Sequence, residues 1–173
     1  MIDETLWRQT ARYNTVANAR LYDACAMLDD KARKRDVGAF FGSLHGTLNH
    51  LLLGDRIWMA RFAGSAAPST GLDTILFESF EDLRQARVAM DADIEAFFAA
   101  PPAGFWQRPM RYVNNEGRVF EDPPALIVPH FFNHQTHHRG QAHALLSILG
   151  MGRRTPVLDM HRVLKPNPQS PAP

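Results

Sequence analysis

Apolar residues recur at three- and four-residue intervals through four long stretches of this 173-residue chain, a periodicity that restricts it to an all-helical fold. The first stretch, Asp3 to Leu28, carries Leu6, Tyr13, Val16, Ala17, Leu21, Ala24 and Leu28 at helical spacing. The second, Val37 to Phe62, has a wide apolar stripe that includes Phe40, Phe41, Leu44, Leu48, Leu51, Leu52, Ile57, Trp58, Met59 and Phe62. The third covers Asp73 to Ala100, with Asp73 as the expected N-cap and Leu76, Phe80, Leu83, Val88, Ile94, Phe97 and Phe98 as its apolar set. Pro101-Pro102-Ala103-Gly104 stops it. The fourth begins between Pro124 and Pro129 and ends at Leu149, before the breaker Gly150-Met151-Gly152. Between the third and fourth, Met110 to Phe120 places short β-prone pieces around an Asn114-Asn115-Glu116-Gly117 turn. The expectation is a four-helix bundle with a small hairpin or extended insertion before the last helix. Residues 1–162 would form the bundle and residues 163–173 a Pro-rich flexible tail.

Charge and composition narrow the function classes. Nineteen basic residues against 18 acidic ones leave a formal charge of +1, so nucleic-acid binding has no compositional support. No apolar run approaches the ~20 residues that cross a bilayer, and the N-terminal residues do not form a secretory signal. The lone cysteine, Cys25, cannot make an intrachain disulfide and fits a reducing compartment. A cytoplasmic protein with no membrane partner is expected.

Histidine is the residue type that stands out. There are eight, and five lie between His130 and His143. On a helix, residues four apart share a face one turn up, so His134 and His138 can converge on one ion. His130 lies a turn earlier on that face and Gln141 about a turn later. Ile127, Leu145 and Ile148 also fall on it, which aims it into the bundle. A lone histidine on an apolar face is ordinarily a core residue satisfied by hydrogen bonds. Two together, buried without partners, would cost on the order of 2 kcal/mol or more, and coordination removes that penalty. A third ligand must come from elsewhere: His45 and His50 on the second helix are the candidates, with His161 less favoured. Gly46 and Gly54 stand one turn either side of His50, where backbone would approach a metal, a substrate or another helix closely. His45 reads more as a packing or surface residue.

The string Asn133-His134-Gln135-Thr136-His137-His138-Arg139-Gly140-Gln141 resembles the signature of the DinB (damage-inducible) family in the DinB/YfiT-like superfamily. Tyr13-Asn14-Thr15-Val16-Ala17-Asn18 is similar to that family's first-helix pattern. Leu48-Asn49-His50-Leu51, with Gly54-Asp55 and Trp58, resembles its segment bearing the first metal ligand. Tyr112 to Gly117 and Pro156 to Asp159 resemble its insertion and its C-terminal motif, so the likeness spans about residues 5 to 162. The resemblance implies a four-helix bundle in which His50, His134 and His138 hold one divalent transition metal per chain. It also implies a homodimer. Its members with an assigned activity are mostly metal-dependent transferases that use a low-molecular-weight thiol, or related isomerases.

Imidazole ligands suit several metals, with zinc or nickel first among them here. A three-histidine site with open positions can lower the pKa of water or bind and deprotonate a thiol. The reactive group is then a metal-bound water or thiol attacking a small electrophilic substrate, because no serine–histidine–acid set is present and Cys25 reads as a small core residue. His137, Gln141 and Asn133 are candidates to orient a ligand imidazole or a bound water from behind. Arg139 is expected to face another helix or a partner chain. The chain therefore reads as a divalent-metal-binding protein, either a thiol S-transferase or hydrolase, or a non-catalytic metal-binding stress-response dimer. The broad apolar sector of the second helix, from Phe41 to Met59, supports a twofold homodimer, since large exposed apolar patches are rare on monomers.

Overall fold

A computed structural model describes residues 3–114 and 116–165. Four long helices carry the fold: α1 (Glu4–Ala26), α3 (Leu44–Phe62), α4 (Phe80–Ala99) and α5 (Pro124–Ile148). Two short ones, α2 (Asp30–Lys34) and α6 (Met160–Val163), flank them. The insertion before α5 is an antiparallel hairpin of β1 (Met110–Val113) and β2 (Val119–Asp122), with Tyr112 opposite Phe120. The all-helical bundle with a small hairpin stands as the sequence indicates. No described helix is long and apolar enough to cross a membrane.

Two helices begin later than periodicity suggests. Residues 37–43 do not join α3. Gly38 and Gly42 both sit at φ +71°, a left-handed conformation that breaks the helix and that glycine adopts freely. The Ala39–Gly42 pairing closes a tight turn there. Ser43 then caps α3, its hydroxyl accepting from Gly46 N at 3.0 Å. The third helix starts at Phe80 rather than at Asp73. Ser79 caps it by accepting from Asp82 N, while the preceding segment is a turn closed by Thr74 N on Gly71 O followed by irregular chain against α3. There Asn49 Oδ1 accepts from Phe77 N at 3.0 Å, and Asn49 Nδ2 and His45 Nε2 both donate to Phe77 O. Those side chains replace the hydrogen bonds a helix would have supplied. In α5, Pro124 occupies the first turn and Pro129 the second without ending the helix.

Cross-helix pairs set the directions. Asp23 with Arg84, Asn18 with Asp91 and Arg12 with Glu95 run α1 and α4 antiparallel. His50 with His138, Asp55 with Gln135 and Trp58 with His130 do the same for α3 and α5. Trp7 stacked on Phe132 and Asn14 bonded to Arg139 run α1 parallel to α5, so the bundle is up-down-down-up in chain order, and the long α3–α4 connection is the crossover that two parallel neighbours require. At one end of the bundle Leu21, Tyr22, Leu48, Leu52, Leu83 and Leu146 pack together; at the other end Trp58, Phe62, Ile94, Phe98, Phe131 and Phe132 do so.

Between these apolar layers lies a polar one drawn from all four long helices. Arg87 Nη1 donates to Asp55 at 2.5 Å and Arg87 Nη2 pairs with Asp91 at 2.8 Å. Asn14 and Asn18 donate to Asp91 at 3.1 and 2.9 Å, and Gln135 donates to Asp55 at 2.9 Å. Arg139 donates to both asparagines and lies over the Tyr13 ring, so it faces α1.

Several side chains depart from the sequence expectation. Ile148, Val88 and Phe40 are exposed although all three belong to apolar stripes, Phe40 because its segment is not helical. Leu44, Leu48, Leu51, Leu52 and Leu53 are wholly buried within the chain, so the apolar sector of α3 does not demand a partner subunit. The packed chain also reaches past residue 162, since Val163 is buried in α6. From Pro166 onward, the Pro-rich tail lies outside the described residues.

Candidate metal centre

The antiparallel packing of α3 on α5 brings His50 from one helix beside His134 and His138 from the other. One ring nitrogen from each lies within 4.8 Å of the others. Gly54 permits this approach. A Cβ at that position would stand 2.6 Å from His134 Cε1, so the His134 ring rests on bare backbone. Gly46 serves a neighbouring contact, because a Cβ there would fall 2.2 Å from the Phe41 carbonyl oxygen. Phe41 in turn stacks on His50 with ring centroids 3.9 Å apart.

Hydrogen bonds fix which nitrogens face the centre. His50 Nδ1 is 2.7 Å from the Leu72 carbonyl oxygen and His138 Nδ1 is 2.8 Å from Gln141 Oε1. Both partners only accept, so both Nδ1 atoms carry the proton and donate. The two Nε2 atoms, 3.1 Å apart, are then bare lone pairs pointed at one another. Neutral imidazoles repel in that arrangement, and a cation between them removes the repulsion. A tetrahedral ion with bonds of about 2.0–2.1 Å would hold its donors roughly 3.3 Å apart, close to what is found. His134 Nδ1 is buried without a hydrogen-bond partner, a second sign of an unmet ligand. The donor set and its geometry fit a divalent transition metal.

The surroundings keep these rings neutral. Burial lowers the pKa of His50 against a smaller opposing effect of the Leu72 carbonyl, and burial likewise lowers that of His138. His134 falls to about 3, chiefly through burial and then through its proximity to His138 and His50. All three are deprotonated bases near neutral pH, the form a metal requires.

The other histidines are placed elsewhere. His45 is buried but bonded to Phe77, outside the cluster. His161 is exposed on α6. His130 is exposed and meets the Trp58 ring edge-on at 5.2 Å. Of the residues expected to orient the ligands, Gln141 accepts from His138, and its amide nitrogen lies 3.3 Å from exposed His137. Asn133 is exposed. Two contacts escaped sequence reasoning. The Leu72 carbonyl belongs to a connection with no motif of its own, and Phe41 reaches His50 only because its segment leaves the helical path.

A cleft of about 330 Å³ opens beside the cluster, lined by His50, Gly54, Trp58, Arg61, His130 and His134 among others. The bundle and its three converging imidazoles fit a metal-binding helical bundle in which two antiparallel helices would supply the ligands. More specifically, it belongs to the DinB family, whose model matches residues 1–169. It is 23% identical over 145 residues to Protein DinB of Bacillus subtilis (strain 168), across 80% of this chain and 83% of that protein. No solved structure matches it.

Proposed function

We propose that the chain holds one divalent transition metal ion, zinc or nickel foremost, through His50, His134 and His138, and that it is a metal-dependent enzyme of thiol S-transferase or hydrolase type. The observation that carries the metal is the pair of Nε2 lone pairs facing one another at 3.1 Å, with both Nδ1 atoms committed as donors. When bound, such an ion lowers the pKa of a thiol or a water toward neutrality. The chain's own residues do the positioning. Leu72 and Gln141 hold two of the rings in one tautomer, and Gly54 leaves room for the third. Ile57 and Trp58 give the cleft an apolar wall against which a small electrophile can lie. Cys25 is no rival nucleophile, because burial pushes its thiol up to about 12.

Three protein ligands beside an open cleft favour this reading over a non-catalytic metal-binding stress-response protein, whose site would be closed by a fourth ligand. A cytoplasmic location and a homodimer belong to the same proposal. The dimer now rests on family membership alone, and light scattering that reports twice the 19.5 kDa of one chain would support it. For the site, wild type is expected to purify with one equivalent of metal and His134→Ala with none. Full metal content in that variant removes the assignment. Wild type should also transfer a low-molecular-weight thiol to chloro- or epoxide-type electrophiles, lose that activity to a chelator and regain it with metal. A loaded protein at background across thiol and hydrolase screens returns the reading to metal binding without catalysis.

A further inference from the structure

The cleft at the histidines is not isolated. A second cavity, of about 530 Å³, adjoins it, and the two share Arg61 and Asn114 in their walls. Arg61 stands at the junction because α3 presents His50, Gly54, Trp58 and Arg61 along one stripe. Arg61 lies eleven helical steps beyond His50, roughly 16 Å along the axis, and a long helical side chain leans back toward the helix N-terminus.

The guanidinium is held rather than free. Its carbon lies 4.5 Å from the Trp58 ring centroid and 4.8 Å from that of Tyr112, and Nη2 donates to the Val113 carbonyl oxygen at 3.0 Å. Its charge is unmet. No carboxylate among the described residues pairs with Arg61, and its Nε is buried with no hydrogen-bond partner. Glu116, an acid in the same cleft, is engaged by Arg118 at 3.3 Å. Burial disfavours the charged form of Arg61, which an incoming anion would reverse. A fixed, half-buried guanidinium without an acid, packed against two adjoining aromatic rings at the meeting of two cavities, is built to receive an anion.

We infer that Arg61 is the recognition point for a carboxylate on an elongated substrate whose reacting end lies at His50, His134 and His138. A carboxylate fits better than a phosphate dianion, because one arm of the fork is already given to Val113, Arg111 is exposed in the outer cavity and Arg118 is paired with Glu116. The inference rests on the proposed metal site for the reacting end, but the subsite at Arg61 can be measured without it.

The test is calorimetric titration of metal-loaded wild type with ω-mercapto carboxylic acids of increasing chain length, the matching ω-mercapto alcohols and thiol-free acids. A mercapto acid of spanning length should bind about tenfold or more tightly than its alcohol. Arg61→Met should erase that preference while keeping wild-type metal content and affinity for the alcohol. Arg61→Lys, which keeps the charge without the fork, should retain part of the preference and guards against a packing defect in the methionine variant. Thiol-free acids should distinguish wild type from Arg61→Met even after the metal is removed, so loss of the metal assignment would leave this arm readable. Equal binding of acid and alcohol by wild type, or a preference that survives Arg61→Met, overturns the inference.

Discussion

At the scale of single residues, the centre depends on two glycines whose backbone is in contact with other groups. A Cβ at position 46 would strike the Phe41 carbonyl, and one at position 54 would strike an imidazole. Alanine favours a helix over glycine by roughly 1 kcal/mol, so Gly54→Ala should not weaken α3 by propensity. It should instead push His134 off its position. Metal affinity is expected to fall by about tenfold or more, the size of effect seen when the support of a ligand is disturbed, while the metal-free protein unfolds near the wild-type temperature. A competition titration against a chromogenic chelator measures this, and unchanged affinity would show that His134 does not need the bare backbone. Much of this scale was legible in the sequence. The four-residue interval between His134 and His138, and the glycines a turn from His50, follow from helical geometry alone. Which second-helix histidine joins them did not follow from spacing, because His45 and His50 are both buried and differ only in the partner each meets.

At the scale of elements, adjacent residues divide the work. His134 and His138 look toward the cluster, while their neighbours Gln135 and Arg139 are buried in the polar layer, as is Asp55 beside Gly54. The link between Gln135 and Asp55 thus ties α5 to α3 one residue along from His134 and one from Gly54. Arg87 is the centre of that layer, paired with two buried carboxylates. Removing it leaves both unpaired, so Arg87→Met should destabilise the fold by about 3–5 kcal/mol in denaturant unfolding. A loss below 1 kcal/mol would mean that the carboxylates are neutral or solvated. This layer was not legible. Arg87 and Asp91 have the spacing of an ordinary surface ion pair, and nothing local distinguishes a helix that turns such a pair inward. The starts of α3 and α4 were recoverable from Ser43 and Ser79, which are good caps, but the apolar periodicity continued past both and outweighed them. His45 adds a pH dependence at the α3–α4 crossover. Burial lowers its pKa, against the Phe77 carbonyl, with nearby Lys34 lowering it and Asp30 and Glu78 raising it. A histidine whose folded pKa lies below its unfolded value of about 6.5 contributes stability that is present above that pH and lost as the pH falls through the folded value. With metal chelated from both proteins, wild type should lose thermal stability below pH ~6.5 more steeply than His45→Gln, whose amide can still donate to Phe77. Parallel curves would remove His45 from the acid response.

For the whole molecule, the three imidazoles meet across the contact of α3 and α5, the antiparallel pair whose chain segments are separated by the crossover, α4 and the hairpin. That geometry exists only in the folded state, since residues 50 and 134 have no reason to stay together in an unfolded chain. An ion bound there is therefore linked to folding. At a free concentration one hundred times its dissociation constant it stabilises the fold by about 2.7 kcal/mol. In a chain of this size each kcal/mol moves the unfolding midpoint by about 2–4 °C, so saturating metal should raise it by roughly 5–10 °C. The same metal should leave His134→Ala and His138→Ala nearly unmoved. Binding at an adventitious surface site would shift wild type and both variants alike. A chelator titration of the wild-type midpoint, run beside the two variants, separates these cases, and a midpoint that ignores chelator in all three proteins would refute a metal that links α3 to α5.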